Sequence, residues 1–124
     1  MQSARFTFLF LLKVSAAYAA GTHVPSDPGG WDQDLLGMAV PTKDCPGGSI
    51  ASLSKRMALS QPLGSAEFSQ TARRDHLSGT LPSDQARRFY FRSELPGGSF
   101  WGFSGYVLGR RGCIVHAKVT SRDN

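Results

Sequence analysis

The sequence predicts a small α+β domain, with an antiparallel three-stranded meander over about residues 86–120 packed with one or two short helices. Three observations carry this. The last third holds three apolar or aromatic runs separated by glycine-containing turns. The middle third places apolar residues at helical spacing behind a serine. Two cysteines, Cys45 and Cys113, lie before the helical stretch and at the start of the final run, where one bridge would tie them together.

Residues 1–20 have the features of a signal peptide. Arg5 supplies a basic start, Phe6 to Leu12 an apolar run, and Ala17-Tyr18-Ala19 an A-x-A site, so cleavage is expected after Ala19 or Ala20. Lys13 ends the run well short of the about 20 apolar residues a membrane span requires. Residues 21–30 (GTHVPSDPGG) are expected to be a flexible N-terminal segment ahead of a single domain over 31–124. Pro-Gly-Gly recurs at Pro28, Pro46 and Pro96 at unequal separations, which argues for turns, of type II, rather than an architectural repeat.

From Trp31 to Val40 the pattern fits either a short helix behind Asp32 or a short strand, and periodicity does not separate them. Ser49 is an N-cap, and Ile50, Leu53 and Met57 follow at helical spacing, so a helix is expected near 49–60, closed by Pro62. Residues 65–77 carry a thin stripe of Phe68, Ala72 and Leu77 that supports at most a helical turn behind Ser65. Strands are expected at Arg87–Arg92, Phe100–Gly109 and Cys113–Thr120, the last two joined by a tight Arg110-Arg111-Gly112 turn. Alternation along the third strand places Cys113, Val115, Ala117 and Val119 towards the core and Ile114, His116, Lys118 and Thr120 outwards.

With 124 residues, 40% hydrophobic and 19% charged, the chain is one domain, too apolar for a disordered protein. The 14 basic residues face 9 acidic ones, and Arg5 and Lys13 leave with the signal peptide. The remaining excess gives a weak bias towards anionic partners, and no nucleic-acid partner is expected from it. No later stretch is apolar enough for a transmembrane segment. An even cysteine count behind an export signal predicts a Cys45–Cys113 disulfide, and without CxxC or paired-histidine spacing no metal or other cofactor is expected.

Catalytic motifs are missing. Gly102-Phe103-Ser104-Gly105-Tyr106 lacks the last glycine of a nucleophile elbow and lies within a strand. Cys113 and His116 fall on opposite strand faces, so His116 is expected at the surface, and His76 beside Arg73, Arg74 and Asp75 is expected to be solvated. The more suggestive set is a basic-aromatic face of Arg88, Tyr90, Arg92, His116 and Lys118, with Arg110 and Arg111 at the hairpin tip. Its ordinary counterpart is the polar outer face of any half-exposed sheet. These readings point to a small exported, non-catalytic binding or accessory domain, periplasmic or secreted, whose partner is an anionic envelope component or a protein. The rivals are a small hydrolase or thiol enzyme, pairing His76 or His116 with Ser104 or a free cysteine, and a self-associating structural protein.

Overall fold

The computed structural model describes residues 21–123, so the expected signal peptide lies outside the described residues. In chain order the elements are β1 (Thr22–His23), a 3-10 turn (Pro28–Gly30), α1 (Gln33–Ala39), α2 (Ile50–Ser54), β2 (Ala58–Leu59), α3 (Ser65–Arg74), β3 (Leu77–Ser78), β4 (Gln85–Glu94), β5 (Phe100–Arg110) and β6 (Cys113–Asp123). The last three form the expected meander, and β2 adds to the outer edge of β4, giving an antiparallel sheet in the order β2-β4-β5-β6. β1 and β3 make a separate two-stranded parallel pair. Arg111 and Gly112 both take positive φ (53° and 81°), the backbone a two-residue hairpin needs to match strand twist. Of the three Pro-Gly-Gly sites, only that at Pro96 puts positive φ on the glycine directly after proline, as a type II turn requires; Gly98 N–H closes it onto Leu95 O at 3.3 Å.

One sheet face is the main core. Phe89, Phe103, Val107, Ile114 and Ala117 pack there against Trp31, Leu35 and Ala39 from the α1 region and Leu53 and Met57 from the α2 region. Helix resolves the ambiguity of residues 31–40: the Asp32 carboxylate accepts from Asp34 N–H at 3.0 Å, which orders the first turn. α2 begins as expected at Ser49, whose side chain exchanges hydrogen bonds with Ser52 in a capping box. It stops at Ser54 rather than near 60. Ala58 and Leu59 instead pair with Tyr90 and Phe89, so the second half of the expected helix lengthens the sheet. α3 is longer than its thin stripe suggests, running a full ten residues.

The alternation expected along β6 fails in its first half. Gly109 pairs with Ile114 and Leu108 with His116, so Val115 is an extra residue in a β-bulge. The bulge brings Ile114 and Ala117 onto the same face, and Ile114, not Cys113 or Val115, enters the main core. Val115 turns to the opposite face, against a second cluster of Val24, Ala86 and Leu108 edged by Leu63, Phe68 and Leu77. The stretch 21–30, expected to be flexible, contributes Val24 to that cluster. Thr22 and Val24 donate backbone hydrogen bonds to His76 and Ser78, and the Val24 side chain is buried. The sheet is therefore covered on both faces at its β5–β6 turn end, while the second face towards the β4–β5 turn is open.

Cys45 and Cys113 form the expected disulfide across a sequence separation of 68. Closing a loop of that length stabilises the fold by about 4 kcal/mol in the chain-entropy account. Gly48, at φ 86°, makes the neighbouring turn feasible: a Cβ there would stand 2.0 Å from Ala39 O. No helix among the described residues is long and apolar enough to cross a membrane.

Candidate functional site

Six of the seven residues expected to form one basic-aromatic face separate into two groups of three in the structure, and Arg111 stands apart at the turn. Arg88, Tyr90 and Arg92 project from the open half of the second face. Tyr90 is 46% exposed, and Arg92 places its guanidinium 3.9 Å from the centre of the Phe100 ring, a cation–π contact. Arg88 reaches Glu67 on α3 at 2.8 Å, an ion pair with both partners well exposed. These side chains border a groove of about 420 Å³ whose lining includes Leu59, Ser60, Tyr90, Ser104 and Thr120. Phe100 belongs to this stripe and is not among the residues expected from sequence.

Arg110, His116 and Lys118 are instead committed to internal contacts. Arg110 clamps Asp84 with two hydrogen bonds of 2.8 and 2.9 Å and reaches Gly79 O at 3.0 Å. The Asp84 side chain is wholly shielded from solvent, and Arg110 beside it holds its carboxyl below the usual range. Arg111, at the turn itself, is exposed. His116 is 5% exposed, so its expected surface position does not hold. It lies on the face that parity predicts, but the N-terminal segment covers that end of the sheet.

A chain of hydrogen bonds runs through this covered end. Trp31 Nε1 donates to Ser26 Oγ at 2.7 Å, and Ser26 Oγ lies 3.0 Å from His116 Nδ1. On the other side of the ring, His116 Nε2 lies 3.3 Å from Tyr106 OH, which donates to Asp75 Oδ2 at 2.6 Å. Lys118 Nζ donates to Asp75 Oδ1 at 2.8 Å. The donors fix one consistent direction. Tyr106 gives its proton to the carboxylate, so it accepts from His116 Nε2–H; Nδ1 is then bare and is the nearest acceptor for the Ser26 hydroxyl, ahead of Val115 O at 3.3 Å.

The charges follow the same geometry. Burial raises the Asp75 carboxyl, but hydrogen bonds from Lys118, Tyr106 and Arg74 outweigh it and hold the pKa at about 2. Burial and the neighbouring Asp75 carboxylate push the Tyr106 hydroxyl well above its ordinary value. Burial lowers His116, with Asp75 pulling it up and Lys118 pulling it down, so the imidazole is neutral at pH 7. Ser26, Trp31, Asp75, His116 and Lys118 share the wall of a cleft of about 310 Å³.

His76 is exposed, as expected, and Ser104 lies on the distal groove rather than with His116. With both cysteines in the disulfide, a thiol enzyme has no thiol. Among the described residues, no three His, Cys, Asp or Glu side chains are grouped to hold a metal ion. Ser26 was hidden in a stretch whose Pro and Gly content suggests flexibility, and Asp75 in a charged run that looks solvated. The one legible signal was the outward parity of His116 and Lys118. No protein-family model, curated protein or solved structure matches this chain.

Proposed function

We propose that this disulfide-stapled α+β domain is exported and acts as a binding module, taking an acidic polysaccharide of the envelope or extracellular space on the open half of its sheet. The observation that carries this reading is the continuous stripe of Arg88, Tyr90, Arg92 and Phe100 beside a hydroxyl-bearing groove. A half-exposed Tyr90 ring offers a flat apolar surface to a sugar ring. Ser60, Ser104 and Thr120 bring hydroxyls that can both donate and accept. Among the described residues Arg92 has no ion-pair partner and lies over the Phe100 ring, and its planar guanidinium suits a carboxylate. The disulfide fits an oxidising compartment and supports the export reading.

The test is calorimetric titration of the oxidised protein with polygalacturonate, neutral dextran and polyglutamate at matched ionic strength. Polygalacturonate should bind in preference to both others. Arg92→Ala should weaken it roughly tenfold or more, the loss of one charge-assisted hydrogen bond of about 1.5–3 kcal/mol. Equal binding by the variant, or preference for polyglutamate, would overturn the reading.

A further inference from the structure

We infer that Ser26 and His116 form a nucleophile–base pair for acyl transfer, acting on small esters in the cleft between the N-terminal segment and β6. The pair goes beyond the binding role and is independent of it, since the cleft and the distal groove share no lining residue. Four separate parts of the chain converge here: the N-terminal segment with Ser26 and Trp31, the end of α3 with Asp75, β5 with Tyr106, and β6 with His116 and Lys118. The β6 bulge at Val115 sits immediately before the base, and bulges recur where a strand re-aims a side chain beside a site.

The hydrogen-bond directions suit the chemistry. The bare Nδ1 at 3.0 Å is the nearer of the two acceptors for Ser26 Oγ–H, the other being Val115 O at 3.3 Å, and the Trp31 N–H on the same oxygen fixes its position. Attack of Oγ on an ester carbonyl forms the C–O bond while the serine proton passes to Nδ1. Collapse breaks the bond to the leaving alcohol, which takes that proton from Nδ1. Water then attacks the acyl-serine, delivering one proton to His116 and on to Ser26 Oγ as the carboxylic acid departs. The transient imidazolium has its Nε2–H on Tyr106, which passes the load to the Asp75 carboxylate. Tyr106 is thus a positioning residue. On the cleft wall, Lys118 keeps two of its three N–H donors free of Asp75, and the backbone N–H of Asp27, next to the serine, has no protein acceptor among the described residues. A cleft of about 310 Å³ sits at the small end of the ligand-pocket range, which restricts the acyl group to short chains.

Oxidised full-length mature protein is to be treated with a fluorophosphonate probe, in which Oγ–P formation expels fluoride, and the modified peptide mapped by mass spectrometry. In parallel, p-nitrophenyl acetate hydrolysis is followed from pH 4 to 9. The expected adduct is on Ser26. Hydrolysis should rise with pH as the His116 imidazole, held below its ordinary value by burial, loses its proton, and then level off: of the charged groups around it Asp75 is held low and Tyr106 high, and Asp27, Lys118 and the nearby Arg74 complete the set. Ser26→Ala and His116→Asn should each lose about 100-fold or more, Tyr106→Phe should lower the plateau, and Lys55→Ala should change nothing. Probe on any residue other than Ser26, no adduct at saturation, or a rate that climbs with hydroxide without levelling would each overturn the assignment. The adduct is read on the wild-type protein, so the outcome stands even if a variant misfolds.

Discussion

Arg110→Ala should cost the domain about 3 kcal/mol, although the arginine ends a strand at an exposed hairpin turn. Asp84 has no side-chain exposure, and Arg110 supplies two of its hydrogen bonds; the third comes from Leu81 N–H at 2.7 Å. Removing one partner of a buried ion pair leaves the other charge desolvated and typically costs about 3–5 kcal/mol. The Arg110 side chain is 18% exposed, so water reaches the pair from one side, which places the cost at the low end. The assay is urea unfolding of the disulfide-intact protein, comparing wild type, Arg110→Ala and the double variant Arg110→Met/Asp84→Leu. The single variant should lose about 3 kcal/mol at pH 7, and the double variant should recover most of it because no buried charge remains. pH sharpens the test. In wild type the Asp84 carboxyl is held low by Arg110, so its contribution is present above about pH 4 and is lost as pH falls through the lower folded value. The gap between wild type and Arg110→Ala should therefore narrow below about pH 4. A loss under about 1 kcal/mol at pH 7, or a gap that does not change with pH, would refute the clamp. The result also bears on binding experiments: a tip variant that includes Arg110 tests the fold, whereas Arg92→Ala tests the open face.

Two further outcomes are expected. Reducing the Cys45–Cys113 bridge should lower unfolding free energy by about 4 kcal/mol, read as a shift in the urea midpoint with and without a phosphine reductant; a shift under about 1 kcal/mol would mean the reduced chain is already constrained. Asp75, at about 2 in the fold against about 3.9 unfolded, contributes about 2.6 kcal/mol that is fully present above pH 4 and disappears as pH falls through 2. Asp75→Asn should flatten that stretch of the stability–pH curve, and an unchanged slope would show that other carboxyls carry it.

Much of the fold was legible because its signals are local. The three C-terminal strands announce themselves by composition and by Gly112 at a position needing positive φ, and Ser49 marks the start of α2 through a bond within its own first turn. What escaped depends on distant partners. α2 stops early because Ala58 and Leu59 find β4, some 30 residues away in sequence, and the gain from that pairing outweighs continued helix. A bulge leaves no trace in alternation, so a period-two reading of β6 assigns Cys113 and Val115 to the core that Ile114 occupies.

The same distance rule decides what became of the candidate site. Strand parity does put Arg88, Tyr90, Arg92, His116 and Lys118 on one face, since Arg88 pairs with Tyr106, Tyr106 with Lys118, and Leu108 with His116. Parity says which side a residue takes, but not what lies over it. Residues 22–24 and 77–78 pair and settle across the end bearing His116, and α3 brings Asp75 against Lys118. That cover turns two expected surface groups into parts of a directed hydrogen-bond chain, and it leaves the aromatic end of the face bare. A polar face on a small sheet therefore splits where its covering segment stops. Here the split falls between Tyr106, buried under the cover, and Tyr90, half-exposed beyond it, two residues with the same parity and opposite surroundings. Chemistry that needs a shielded base is confined to the first side, and docking of a large solvated polymer to the second.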